Sequence, residues 1–113
     1  MRMGSKGVVN LSVIFVSKFQ AGELIVHKRY RYRGVVLARD PYCRASEAWY
    51  TQNRTQPDRN QPWYHVLVHE GQETYVAEEN LSPDFSGEPV AHPLVEQYFP
   101  TFHKGQYYRE SLN

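Results

Sequence analysis

The sequence has almost no cysteine and no long apolar run. Cys43 is the only cysteine among 113 residues, which excludes an internal disulfide. No segment approaches the ~20 apolar residues of a membrane span, so no membrane partner is expected. A chain of this length can bury a core without a disulfide. These absences predict one domain, and the single thiol fits a reducing cytoplasm, where we expect the protein.

Long helical periodicity is also missing, whereas residues that favour strands and turns are abundant. The sequence contains seven glycines, seven prolines and nine tyrosines, a composition typical of a β-rich fold. The chain is organised around a predicted β-hairpin. Trp63 to His69 alternates in two-residue steps, Glu70-Gly71-Gln72 supplies a turn, and Thr74 to Leu81 returns, with its strand ending near Ala77.

Two more strands are predicted upstream of this hairpin, Leu24 to Lys28 and Arg33 to Asp40. Gly34, inside the second of them, indicates a bulge or a close backbone approach. The predicted fold is therefore mostly all-β, a small strongly bent sheet or SH3-like β-barrel with one short C-terminal helix at residues 92–99, where Pro93 suits a first helical turn.

A polar loop, residues 41–61, interrupts the strands. It contains one possible helical turn near Trp49, and burial of that indole is expected to fold the loop back onto the body. The predicted division of the chain is residues 1–18 as an N-terminal extension or edge strand, 19–103 as the β-barrel domain, and 104–113 as a C-terminal tail in which Tyr107 and Tyr108 can pack back.

Lysine and arginine are absent from residues 60–103, which hold seven acidic residues. Residues 1–59 hold eleven Lys and Arg against four Asp and Glu, so the formal net charge of +1 conceals two halves of opposite sign. Two arrangements are open. Either the halves form separate faces, one of them for an anionic partner, or they interleave and the charges neutralise locally.

Several segments resemble, in order and spacing, the YccV-like family of hemimethylated DNA-binding domains. They are Val26–Val35, Asp40, Trp49, Gln61–Val68 and Tyr75–Leu81. The family includes the bacterial heat shock protein HspQ, and the domain also occurs at the end of some F-box proteins. Residues 92–99 are more similar to the longer, F-box-associated version of the domain than to the compact HspQ. The resemblance implies a small β-barrel that binds hemimethylated DNA. For HspQ-like members it also implies a part in regulated proteolysis, as a partner of a protease or its substrates.

The clearest candidate site is the basic and aromatic segment at residues 28–33. Guanidinium groups contact phosphates, and tyrosine rings stack on bases or cover a methyl group. The predicted DNA-binding residues are Lys28, Arg29, Tyr30, Arg31, Tyr32, Arg33, Arg44 and Trp49, with Lys18, Arg39, Arg54 and Arg59 extending the patch if the loop lies beside it. Discriminating one methylated adenine needs an aromatic pocket, for which the candidates are Tyr30, Tyr32 and Trp49. The alternative is a solvated hairpin tip with a tyrosine in the core.

Other chemistries have less support. His65 and His69 share a strand face but lie ~13 Å apart at the strand rise, too far for one ion, so no metal or other cofactor is predicted. Cys43 has no positioned base and no phosphate loop is present, so we expect no catalysis. The alternative to DNA binding is a protein-interaction module or adaptor in regulated proteolysis, in which edge strands and the acidic half bind partner proteins.

Overall fold

Strands rich in apolar residues form a five-stranded antiparallel sheet. The structure, a computed structural model, describes residues 17–110, so the predicted extension at residues 1–18 falls almost wholly outside it. In chain order the elements are β1 (Leu24–His27), β2 (Arg33–Asp40), α1 (Glu47–Thr51), β3 (Trp63–Val68), β4 (Glu73–Ala77), a 3-10 turn (Glu78–Asn80), β5 (Leu81–Pro83), α2 (Val95–Tyr98), β6 (Thr101–His103) and β7 (Gln106–Tyr108). The predicted mostly β fold is confirmed.

The strand order is β4-β3-β2-β1-β5, so β4 and β5 are the edges of the sheet. Gly34 of β2 faces Val68 of β3, and a Cβ at Gly34 would lie 2.6 Å from Val66 Cγ1. The close backbone approach predicted at Gly34 is therefore present, because only glycine leaves room there. The register shifts between Val36 and Ala38, which places a bulge further along the same strand.

The two central strands are apolar on both faces. One face packs under the C-terminal segment and the other under residues from the N-terminal side and the sheet edges. The first core contains Leu24, Val35, Leu37, Leu67, Val90, Val95, Phe99 and Tyr107. The second contains Phe19, Ile25, Val36, Tyr64, Val66, Val76 and Leu81. Both faces of β2 are covered at Val35, Val36 and Leu37, which explains the continuous apolar run in this part of the strand.

The β6–β7 hairpin closes the first core. Tyr107 is 5% exposed, its N–H donates to the Gly22 carbonyl at 3.0 Å, and Gly22 N–H donates to Val36 O at 2.7 Å. Gly22 has a φ of +96°, and a Cβ there would lie 2.2 Å from Tyr107 O. The predicted inward packing of Tyr107 is confirmed, and β7 lies within the segment that we predicted as a tail.

The helices are short. α2 covers four residues of the predicted 92–99 helix, and α1 covers five residues around the predicted helical turn, with the Ser46 side chain accepting from Trp49 N–H as its N-cap. In the described part of the chain, no helix has the length and apolar character needed to cross a bilayer.

Candidate nucleic-acid interface

The connection between β1 and β2 is a tight turn built on His27. His27 N–H donates to Tyr32 O at 2.8 Å, and Arg31 N–H donates to His27 O at 2.9 Å. His27 Nδ1 accepts from the backbone N–H groups of Arg29 at 3.1 Å and Tyr30 at 3.0 Å. Arg31 has a φ of +66°, a left-handed conformation that is uncommon for a residue with a side chain. The turn thus holds residues 28–31 in one defined backbone shape.

The His27 ring is the base of this turn. It is 4% exposed and lies between the rings of Tyr30 and Tyr32, with centroid distances of 4.7 and 5.0 Å. Burial lowers the pKa of His27, and the nearby Arg29 charge lowers it further. A neutral imidazole can accept at Nδ1, whereas a protonated one cannot. The lowered pKa therefore matches the two hydrogen bonds that the turn requires.

Three cations project from this turn into solvent. Lys28, Arg29 and Arg31 are all exposed, and none of the ion pairs within residues 17–110 involves them. Tyr30 between them is 48% exposed, and the Arg29 guanidinium carbon lies 5.8 Å from its ring centroid. We call residues 28–31 the cationic turn. Its charges are available to an anionic ligand.

Arg33, the last residue of the predicted basic segment, lies in a different environment. Its Nε donates to Asp84 Oδ2 at 2.7 Å, and its Nη2 donates to Glu88 O at 2.6 Å. Burial acts to raise the pKa of Asp84, but hydrogen bonds from Ser86 and Arg33 outweigh it, and the pKa lies below its usual value. The structure therefore ties Arg33 to the acidic half of the chain, apart from the cationic turn.

An aromatic pocket with a volume of about 250 Å³ opens beside the cationic turn. Four parts of the chain surround it: the turn, the end of the long loop, the start of β3, and β4 with the 3-10 turn that follows. Its walls are His27, Tyr30, Tyr32, Asn53, Arg54, Thr55, Pro57, Trp63, Thr74, Tyr75, Val76, Ala77 and Asn80. Burial raises the pKa of Tyr32 to about 12, so its hydroxyl stays protonated at neutral pH. Two of the three predicted pocket aromatics, Tyr30 and Tyr32, thus meet in one pocket.

The loop that supplies Arg54 is held in place by specific contacts. Trp63, 2% exposed, donates from Nε1 to Asp58 O at 3.2 Å. Tyr50 donates from its hydroxyl to Pro57 O at 2.7 Å. Arg59 lies over the Tyr50 ring at 4.7 Å and donates to Ala45 O at 2.6 Å. The predicted folding of the loop onto the body is confirmed.

Trp49 differs from its prediction in one respect. Its indole packs edge-on against Trp63 and Tyr75, at centroid distances of 6.2 and 5.7 Å, but it remains 36% exposed. Trp63 occupies the buried position under the loop instead. Trp49 and Arg44 line a separate hollow with Asp40, Ala45, His65 and Tyr75, and Tyr75 stands between that hollow and the aromatic pocket.

The predicted site residues thus divide into three groups: Lys28 to Tyr32 at the aromatic pocket, Arg33 at Asp84, and Arg44 with Trp49 behind Tyr75. Sequence reasoning did not assign Thr74, Tyr75 and Asn80 to the site, and it named Arg54 only as a possible extension. The Tyr75–Leu81 segment, already part of the family resemblance, was the one available indication.

The charged halves are neither fully separated nor fully interleaved. Arg33 reaches across to Asp84, which is local neutralisation, whereas the cationic turn has no such contact within the described chain. Glu78 is buried and accepts from Lys18 N–H at 3.2 Å and from Tyr64 Oη at 3.5 Å. Glu79 bonds the side chain of Gln61. The adjacent carboxylates therefore hold chain segments together.

The five-stranded sheet, the solvent-facing cations and the aromatic pocket define a small β-sheet binding domain. Residues 17–106 match the family described as hemimethylated DNA-binding protein YccV like. The chain belongs to this YccV-like family of DNA-binding domains.

Among curated proteins, the chain is similar to F-box only protein 21 of Homo sapiens, Pongo abelii and Mus musculus, with 33% identity over 87 residues in each case. That alignment covers 74% of this chain but 14% of each relative. The chain therefore matches one small part of those larger proteins.

Proposed function

We propose that this protein binds duplex DNA through the cationic turn and Arg54, with a base or its methyl group in the aromatic pocket. The observation that carries the proposal is that the exposed cations Lys28, Arg29 and Arg31 lie within two residues of Tyr30, which lines that pocket. Phosphate contacts by such side chains supply affinity, because each one releases condensed counterions. Base contacts in the pocket supply selectivity.

The family description supports a preference for hemimethylated DNA, and the chemistry of the pocket fits that preference. The rings of Tyr30 and Tyr32 offer an apolar surface for an N6-methyl group, which removes one amino hydrogen of adenine. Asn80 and Asn53 add amide groups to the same walls, and Asn is a common hydrogen-bonding partner of adenine. An extruded base would enter from the rim. In this proposal the protein acts by binding, without catalysis, and works in the cytoplasm.

The test is a salt titration of binding to three duplexes of one sequence, unmethylated, hemimethylated and fully methylated, followed by fluorescence anisotropy. We expect tighter binding to the hemimethylated duplex by roughly 5- to 100-fold, the range that one good base contact provides. Tyr30→Ala is expected to remove this preference while leaving the salt dependence in place. Undetectable binding to all three duplexes at low salt would overturn the proposal.

A second candidate, protein binding in regulated proteolysis, is supported by one observation. Phe85 follows edge strand β5 and is 90% exposed, and its neighbour Asp84 is fixed by Arg33 and by Ser86, whose N–H donates to it at 3.0 Å. A solvent-facing phenylalanine beside a carboxylate offers a partner protein an aromatic anchor. In this alternative Phe85→Ala weakens partner binding more than loss of Arg29 and Arg31 does, which a pull-down with purified candidate proteases or substrates would show.

A further inference from the structure

A hollow of about 280 Å³ lies on the far side of Tyr75 from the cationic turn. It is lined by Trp49, His65, Glu73, Thr74 and Tyr75, and three of these five residues are aromatic. Among residues 17–110, no Lys or Arg side chain lines it, in contrast to the aromatic pocket, where Arg54 does. We call it the indole hollow. Its composition points to a cation as its ligand.

The three rings are held before any ligand arrives. The Tyr75 hydroxyl donates to Asp40 Oδ2 at 2.6 Å and accepts from Arg44 N–H at 3.2 Å, which fixes the ring. His65 lies against it, with a centroid distance of 4.5 Å. Trp49 belongs to α1, whose neighbouring Tyr50 bonds the loop backbone at Gln56 and Pro57. Such preorganisation lowers the entropic cost of binding.

Carboxylates supply the opposite charge. Glu73 Oε2 lies 3.8 Å from His65 Nδ1, and Asp40 Oδ2 lies 3.4 Å from His65 Nε2. The Glu73 side chain is 47% exposed, so it can meet a ligand at the mouth of the hollow. The nearby Arg44 lies over the Tyr42 ring at 5.3 Å and lines only the adjacent hollow.

Aromatic faces attract cations through the ring quadrupole, Trp most strongly, and cages of such rings bind alkylammonium groups. We propose that the indole hollow binds a lysine side chain of a partner protein, in its free or methylated form. The ammonium group lies against Trp49 and Tyr75, and Glu73 neutralises its charge. DNA is not the ligand of this hollow, because a phosphate would meet the Glu73 carboxylate. The inference goes beyond the proposed DNA-binding function and does not depend on it.

The experiment is an NMR titration of the full chain with four small probes. Three are lysine derivatives blocked by an acetyl group on the α-nitrogen and an amide at the carboxyl end, whose side-chain ammonium group is free, monomethylated or trimethylated. The fourth is a neutral analogue in which carbon replaces the trimethylated nitrogen. We expect the charged probes to shift the Trp49 indole resonance and the neutral one to bind about tenfold more weakly. Comparison of the three charged probes then ranks the methylation states. Equal affinity for the neutral analogue, or no shift of Trp49 with any probe, would overturn the proposal.

Substitutions distinguish probe binding in the indole hollow from probe binding elsewhere on the surface. Trp49→Ala is expected to weaken binding by tenfold or more, Trp49→Phe by less, and Glu73→Gln by roughly threefold to tenfold. The matched control is Arg29→Ala with Arg31→Ala, which should leave probe affinity unchanged. Near-ultraviolet circular dichroism of the buried Trp63 verifies the fold of each variant. Probe binding that survives Trp49→Ala at full strength would contradict the assignment.

Discussion

Arg31 and Arg33 are two residues apart in one basic segment, yet they have opposite environments. Arg31 projects from a turn that is held by local backbone hydrogen bonds and by one from Lys28 N–H to Asn80 O at 2.8 Å. Its side chain meets no carboxylate in the described chain. Arg33 begins β2 and reaches Asp84 and Glu88, which come from the far end of the sheet. Residue type and sequence position therefore do not decide whether an arginine is free to bind a ligand or forms a structural ion pair. The partners available across the sheet decide it.

The sharpest test of this comparison removes the two arginines of the cationic turn together. Arg29→Ala with Arg31→Ala is expected to lower DNA affinity about 10- to 100-fold near 0.1 M salt and to reduce the salt slope by about 1.8, since two phosphate contacts are lost. The free energy of unfolding should change by less than about 0.5 kcal/mol, as for other exposed positions. Fluorescence anisotropy at several salt concentrations and urea unfolding measure the two quantities.

Arg39→Ala is the matched control for this double variant. Arg39 is also an exposed arginine, but it lies toward the opposite end of β2 from the turn. A loss of affinity as large for Arg39→Ala as for the turn would show that DNA binding depends on overall charge, and the proposed interface would be wrong.

The next test removes Arg33. Arg33→Ala is expected to lower the free energy of unfolding by about 2 kcal/mol, because it leaves the nearly buried Asp84 carboxylate without its cation. The salt slope of DNA binding should stay at its wild-type value. Urea unfolding measures the first quantity, and a double variant with Asp84→Ala should recover part of the loss. A fall in the salt slope near 0.9 would instead place Arg33 on the DNA.

The pH dependence of this difference has a definite sign. Since the pKa of Asp84 is lowered in the folded protein, its contribution is present above the unfolded value of 3.8 and is lost as the pH falls through the folded value. Wild type and Arg33→Ala should therefore approach each other in stability below about pH 3.8. A gap that does not shrink as the pH falls below 3.8 would exclude the ion pair as its source.

The smallest expected effect concerns His27, the base of the turn. The pKa of His27 is lowered in the folded protein, below the value of 6.5 in the unfolded chain. The contribution of neutral His27 to stability is therefore complete above pH 6.5. It is lost as the pH falls from 6.5 through the folded pKa, because the unfolded chain binds the proton more readily. His27→Phe keeps a ring between the tyrosines but removes the Nδ1 acceptor. We expect a weaker loss of stability between pH 7.5 and 5.5 in this variant, together with faster hydrogen exchange at Arg29 and Tyr30 N–H. An unchanged pH profile would mean that other histidines control it.

Much of the sheet could be predicted from the sequence because local patterns specify it. Arg33–Asp40 contains an unbroken apolar run and coincides with β2, and Gly34 marks the close approach to β3. β5, β6 and β7 could not be predicted, because three residues carry too little alternation to be distinguished from a loop. The packing of Tyr107 against Gly22 joins residues 85 positions apart, and no local pattern encodes that contact.

The candidate site shows the same limit. The cationic turn was evident from Lys28 to Arg31, since charge and tyrosine composition can be read from consecutive residues. The separation of Arg33, Arg44 and Trp49 from that turn depends on contacts with Asp84 and Tyr75, which lie far along the chain. Propensity and periodicity carry no information about such long-range neighbours.

The phenol ring of Tyr75 forms a wall common to the aromatic pocket and the indole hollow. The hydrogen bonds to Asp40 and Arg44 hold this shared wall in place. By thermodynamic linkage, any effect that a ligand in the indole hollow has on the affinity for a nucleotide must equal the effect of the nucleotide on the affinity for an ammonium group. The two affinities, each measured with and without the other ligand, must therefore give one and the same coupling free energy.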